Sequence, residues 1–185
     1  LVRPSIELAL GGLLHDVGKP PTFEEADDRI RFHGHDRVGA EMTEHLLQRL
    51  GYPKATVEQV AALVRLHLRF KDVQAMRTST LKRFLRRSDF ALHLELHRVD
   101  CLASHGNLDN YAYCVRRYQE LQQEALRPEP LLDGHDLIRL GYTPGPAFGR
   151  MLQRLEDAQL EGEVASREEA EALLRTEFPL DEVEE

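Results

Sequence analysis

Residues 8–21 read LALGGLLHDVGKPP, and the fold follows from them. Leu8-Ala9-Leu10-Gly11-Gly12-Leu13-Leu14 is an apolar run of helical character. Pro20-Pro21 stops it, because neither proline can donate a helical hydrogen bond. The pattern predicts a first helix over residues 4–18, with His15 and Asp16 near its end. Adjacent helical side chains point about 100° apart, so these two share a target only if it lies over the helix end. An imidazole and a carboxylate held at the margin of an apolar core need a partner, and a cation serves both. That donor pair suits Mn, Fe, Co, Ni, Zn or Mg. Lys19, one turn on, is placed to meet a phosphate or, more plainly, to cap the helix end as a solvated cation.

Outward from this stretch the periodicity is helical. A polar loop runs to about Arg31. A second helix spans about 35–50, with Val38, Met42, Leu46 and Leu50 on one face and Gly51 as its stop. Thr56 and Gln59 resemble a capping box for a third helix, whose apolar face carries Val57, Val60, Val64 and Leu68. His67 lies one turn past Val64. Further helices are predicted over 81–85, 91–104 and 111–126. Asp100, with Leu96 and Ala103 about a turn to either side, is expected to face the core. Arg127-Pro-Glu-Pro130 breaks the chain, and helices over 134–140, 146–160 and 166–176 follow, the second with a core stripe of Phe148, Met151, Leu152 and Leu155. Residues 181–185 read as a frayed acidic end. No strand-like alternation is evident. The expectation is an all-α chain, with a helical bundle over 1–126 and a short helical C-terminal tail over 127–185.

Composition narrows the function classes. Of the 185 residues, 42% are apolar and 30% charged, as in a globular chain. No apolar run is long enough to cross a bilayer, so no membrane partner is expected. Only Cys101 and Cys114 are present, too far apart for a CxxC pair, which points to a reduced, cytoplasmic setting and small buried side chains. The formal charge is −8, which disfavours general polyanion binding. It is unevenly spread: residues 65–98 net +6 and residues 156–185 net −10. The basic stretch is read first as a solvated helix face, and second as a surface for phosphate or an RNA backbone.

One His-Asp pair occurs easily by chance. His35 in HGHDRVGAE, His67 in VRLH and Asp100 in HRVD change the reading, because each falls on a different helix and packed helices can bring all of them to one point. With these motifs, the chain resembles the HD superfamily of metal-dependent phosphohydrolases. The resemblance implies an HD-domain helical bundle in which His15, Asp16 and Asp100 hold one divalent metal. His35 and His67 then help hold a second metal or the phosphate. It implies that water acidified by metal attacks phosphorus, with Asp16 and Lys19 as catalytic groups and Lys19, Arg37 and Arg69 on the phosphoryl oxygens. HD sites usually draw another histidine from an upstream helix, and residues 1–14 contain none. Two expectations follow: a segment upstream of these residues supplies it, which is the favoured reading, or the site is incomplete.

The spacing of HDVGKP, FHGHDRVGA and VRLH, with the tail from DGHDLIRLGYTPGPAFG to Arg167, is similar to the body and tail of bacterial tRNA nucleotidyltransferases and poly(A) polymerases. These residues contain no GS…DxD motif of a nucleotide-transferring head. Two functions are therefore expected. The first is a phosphohydrolase for a phosphomonoester or cyclic phosphodiester of a nucleotide or RNA end. The second is a non-catalytic region that binds tRNA or other RNA, through Arg139, Arg150 or Arg154 among others. A purely structural domain is a third reading. Other histidines rank lower: His33 as a backup ligand, His93 and His97 as a polar–core boundary, and His45, His105 and His135 as part of no constellation.

Overall fold

The computed structural model describes residues 5–26, 29–123 and 129–180. Among them the chain is helical apart from one small hairpin. The expected acidic end at 181–185, and the end of the helix beyond 123, lie outside the described residues. Two compact units form. One comprises residues 1–75 and 85–119, the other residues 76–84 and 120–185.

In the first unit, α1 (Ile6–Leu14) starts where the Ser5 side chain accepts from the Leu8 N–H. It is shorter than the predicted 4–18. The chain tightens into turns, with Val17 N–H on Leu14 O and Lys19 N–H on Asp16 O, before a 3-10 turn at Pro20–Thr22. The predicted polar loop to Arg31 is instead an antiparallel hairpin, β1 (Glu24–Ala26) with β2 (Arg29–Arg31). Its open end is closed by the Phe23 and Phe32 rings, with centroids 6.0 Å apart.

α2 (His35–Arg49) follows Gly34, whose φ of 72° permits the left-handed entry. Its buried face is His35, Gly39, Ala40, Thr43 and Leu47. This corrects the predicted stripe, since Met42 and Leu50 are exposed. The rotation has a steric cause. Gly39 lies against the backbone of Gly18, an approach that a Cβ on Gly18 would forbid. α3 (Lys54–Leu66) starts two residues before Thr56, with no side-chain cap, so the predicted capping box does not form. The Thr56 hydroxyl donates to Glu7 instead, at 3.4 Å. Leu14, Ala40, Leu47, Val57, Val60 and Val64 make the core between these helices. A 3-10 stretch (His67–Ala75) continues α3. α5 (Phe90–Ala103) packs Leu92 and Leu96 on Leu63, and α6 (Asp109–Gln123) follows.

The second unit takes in α4 (Thr78–Leu85) up to Phe84, together with α7 (Gly134–Arg139), α8 (Pro146–Glu161) and α9 (Arg167–Glu177). Residues 76–84 are tied to α8 by Arg83 on Asp157 and by the Ser79 N–H on Glu161. Leu137, Met151, Leu155, Ala170 and Leu174 form the core, with Phe148 and Leu152 packed on it. Asp133 caps α7, and the buried Asp136 carboxylate completes the capping box by accepting from the Asp133 N–H, and accepts also from Arg139 and Arg167. The hydrogen bond from Arg167, then the Asp133 backbone and Arg139, hold it far below the usual carboxylate range. Arg154, one of the arginines considered for RNA, is held between Glu163 and Glu177.

Candidate metal centre

The first unit brings three of the predicted ligands, His15, His35 and His67, within 3.9 Å of a fourth, Asp16, and the fifth, Asp100, lies 3.5 Å from His15. His15 ends α1, Asp16 and Lys19 occupy the turns after it, His35 is the first residue of α2, His67 joins α3 to the 3-10 stretch, and Asp100 lies on α5. The Gly18–Gly39 contact fixes the first two of these elements against each other. A Cβ on Gly18 would lie 2.1 Å from the His35 carbonyl oxygen and 2.6 Å from the Gly39 nitrogen. The sequence HDVGK therefore carries both the acid and the glycine that seats it beside His35.

Asp16 is the hub. Its Oδ1 is 3.4 Å from His35 Nε2 and 3.9 Å from His67 Nε2. Its Oδ2 is 2.5 Å from Lys19 Nζ and 3.4 Å from His15 Nε2. His15 Nε2 is also 3.5 Å from Asp100 Oδ1. His35 and His67 face each other with Nε2 atoms 3.2 Å apart. Ligand atoms of Asp16, His35 and His67 all lie within 4.8 Å of one another.

The tautomers follow from the other ring nitrogens. Nδ1 of His15 is 2.8 Å from Gly12 O, Nδ1 of His35 is 2.8 Å from Phe32 O, and Nδ1 of His67 is 2.6 Å from Val64 O. A carbonyl only accepts, so each Nδ1 carries the proton and each Nε2 of a neutral ring presents a lone pair. Burial pushes His67 below the ordinary histidine value, against the Val64 carbonyl that opposes it, and the charges of His15 and His35 push the same way, so the neutral ring is favoured. Two lone pairs 3.2 Å apart beside a carboxylate repel unless a cation lies among them. Burial raises Asp16, but the hydrogen bond from Lys19 and the charges of His15, Lys19 and His67 outweigh it, and the carboxyl stays ionised. Imidazole and carboxylate acceptors in this arrangement fit a divalent metal.

The cluster forms the floor of a cleft of about 640 Å³. Its walls bring in Lys19, Arg29, Arg31 and Lys71, which against Asp16 and Asp100 give a net of +2 in a chain of net −8. Asp100 was expected to face the core. It lines this cleft with its side chain 41% exposed, because the α5 face that packs on α3 is Leu92 and Leu96. Arg37 and Arg69, predicted to meet the phosphate, are exposed and do not line the cleft. Arg29, Arg31, Lys71, His33 and His105 do; of these the sequence points only to His33, as a backup ligand, and to Lys71, as part of the basic stretch over 65–98. The only signal for Arg29 and Arg31 was their position beside FHGH, in a stretch taken for loop. Of the lower-ranked pair, His93 is buried 3.2 Å from Asp89, and His97 stacks on Phe70 at 4.3 Å.

Comparison with known proteins agrees with this geometry. Residues 3–92 match the HD domain family model. The chain is 40% identical to the A-adding tRNA nucleotidyltransferase of Deinococcus radiodurans, over 94% of its own length and 42% of that protein. It is 41% identical to the CC-adding tRNA nucleotidyltransferase of Thermus thermophilus, over 91% of its length and 39% of that protein. A shorter similarity, 36% over 77 residues, links it to the multifunctional CCA protein of Neisseria meningitidis. The chain thus spans about two fifths of the length of the first two relatives. No solved structure gives a significant match.

Proposed function

The chain carries an HD domain, and from that premise we propose that it is a divalent-metal-dependent phosphohydrolase acting on a phosphomonoester or cyclic phosphodiester of a nucleotide or RNA end. One observation carries the reading. Three imidazoles, each with Nδ1 bound to a backbone carbonyl, turn their Nε2 lone pairs toward Asp16 and Asp100 at the floor of a cationic cleft. His15, Asp16 and Asp100 are the residues to hold one metal, with His35 and His67 holding a second or steadying the phosphate. A divalent ion there supplies Lewis-acid polarisation of a phosphoryl oxygen and lowers the pKa of water. The chain's own groups do the rest. Asp16, with one oxygen toward each half of the cluster, keeps the halves in register. Lys19, held on Asp16, sets a fixed positive charge at the reacting phosphoryl group. Arg29, Arg31 and Lys71 take the phosphate-holding role expected of Arg37 and Arg69. The metal-reconstituted protein, tested with Mn, Ni and Co, should hydrolyse a 2′,3′-cyclic nucleotide or a generic phosphoester, and Asp16→Ala should abolish this. Turnover at blank level, or turnover that persists in Asp16→Ala, refutes the reading.

The second reading, an RNA-binding region of a tRNA nucleotidyltransferase-like protein, has its own support. Similarity to the two tRNA enzymes runs well past residue 92, into the second unit. On that reading tRNA binding survives in Asp16→Ala and with chelator, and it weakens steeply with added salt.

A further inference from the structure

Proceeding from the phosphohydrolase reading, we infer that His105 is a further substrate-contacting residue, which donates a hydrogen bond from Nε2–H to a phosphoryl oxygen in the cleft. The loop that bears it is well defined. α5 ends at Ala103, and Gly106, with φ of 73°, turns the chain so that its N–H reaches back 2.7 Å to Cys101 O. The Ser104 hydroxyl donates to Asp100 O at 2.7 Å. Asp109 N–H donates to Asn107 Oδ1 at 2.7 Å. These bonds set Ser104 and His105 on the cleft wall, a few residues beyond Asp100.

The tautomer of His105 separates it from the three candidate ligands His15, His35 and His67. Its Nδ1 lies 3.0 Å from the Asn107 backbone N–H. An N–H can only donate, so Nδ1 accepts and the neutral ring keeps its proton on Nε2. His15, His35 and His67 have the opposite arrangement, with Nδ1 donating to a carbonyl and Nε2 bare. His15, His35 and His67 therefore offer lone pairs, as ligands must, and His105 offers a donor, which a metal cannot use. With Nδ1 committed to its own loop, Nε2–H is the ring's outward group. Ser104 does not compete for the role, because its hydroxyl proton is spent on Asp100 O. Phosphoryl oxygens are anionic acceptors whose stabilisation in the transition state comes from donors already in place. No proton changes hands. The ring donates this hydrogen bond and keeps its proton.

The full chain should be studied as wild type, His105→Gln and His105→Ala, each loaded with Mn. Glutamine places an N–H near the position of Nε2 but cannot transfer a proton. Calorimetric titration with Mn is expected to give the same affinity, within about twofold, in all three. Binding of inorganic phosphate to the loaded protein, and kcat/KM for a 2′,3′-cyclic nucleotide, should fall roughly ten- to a hundredfold in His105→Ala, the range for one hydrogen bond to a charged group. Both should stay within about threefold of wild type in His105→Gln. A loss of Mn affinity in His105→Ala makes the residue a ligand and overturns the inference. Equal losses in both variants, no loss in either, or no phosphate binding to the wild type also overturn it. Phosphate binding that depends on His105 in a protein without turnover upholds the contact and refutes the phosphohydrolase reading. Turnover that needs Asp16 and ignores His105 does the reverse.

Discussion

A single methyl group on Gly18 should separate the two halves of the His–Asp cluster. Ideal placement puts that Cβ 2.1 Å from the His35 carbonyl oxygen, 2.6 Å from Gly39 N and 2.9 Å from Gly39 Cα. All three are backbone atoms, so no side chain can swing aside. Carbon–oxygen contacts settle at roughly 3.3 Å, so the start of α2 has to retreat by about 1 Å. His35 rides on that segment, 3.4 Å from Asp16 and 3.2 Å from His67, and its orienting bond to Phe32 O moves with it. Overpacking of this kind costs about 3 kcal/mol, the upper part of the usual range. A displacement of about 1 Å at a reacting centre costs about a hundredfold in turnover, and disturbing the support of a ligand weakens metal about 10- to 100-fold. Two other glycines serve as controls. A Cβ on Gly39 meets Gly18 N at 3.1 Å and Val64 Cγ1 at 3.2 Å, so Gly39→Ala needs shifts of a few tenths of an ångström. Its strain is offset by the better helix propensity of alanine, about 1 kcal/mol. A Cβ on Gly12 meets nothing within 4 Å, so Gly12→Ala should stabilise α1 by about 0.5–1 kcal/mol. Thermal unfolding of the metal-free proteins and calorimetric titration with Ni should rank the variants Gly18→Ala far below Gly39→Ala, with Gly12→Ala at or above wild type. If Gly18→Ala binds Ni as wild type does, the backbone contact does not set the site.

Two further outcomes follow from the packing and charge. Leu47→Ala empties a fully buried position between α2 and α3 and should cost about 2–5 kcal/mol, read as a lower denaturant midpoint at unchanged slope; a cost below 1 kcal/mol would show that the helices close over the gap. Asp136 is depressed in the folded chain from an ordinary value of 3.8, so its contribution to stability is present above about pH 4 and is lost as the pH falls toward the folded value. The gap in Tm between wild type and Asp136→Asn should therefore be widest at neutral pH and shrink below pH 3.8, and a gap independent of pH would mean the Arg139 and Arg167 bonds contribute nothing through charge.

Much of the candidate site is legible in sequence because its residues stand next to strong punctuation. His15 and Asp16 precede Gly-Lys-Pro-Pro, His35 opens a helix after Gly34, and His67 lies one turn beyond a valine stripe. What was missed depends on partners distant in sequence. Apolar spacing places Met42 and Leu50 on the α2 stripe with Val38 and Leu46, because spacing alone cannot show that Gly18 presses on Gly39. The hairpin was read as loop because its pairing covers three residues a side and is closed by two phenylalanines nine positions apart. The basic run at 65–98 was read as a solvated face, and Arg83 instead finds Asp157, 74 positions on. His105 carried no periodicity at all. Only the Asn107 hydrogen bond, invisible in sequence, gives its ring a chemical identity.

The three bonds from histidine Nδ1 to a carbonyl three residues back bear on how this centre tolerates mutation. Where a carboxylate side chain orients a ligating histidine, replacing that carboxylate disables the metal site. Here the orienting groups belong to the main chain of Gly12, Phe32 and Val64, and no side-chain substitution deletes a carbonyl. The neighbouring side chains are thus free to drift so long as the local turns survive. The vulnerable positions are those that bend the main chain, so insertions and prolines near these turns should harm the centre more than most changes of side-chain chemistry around it.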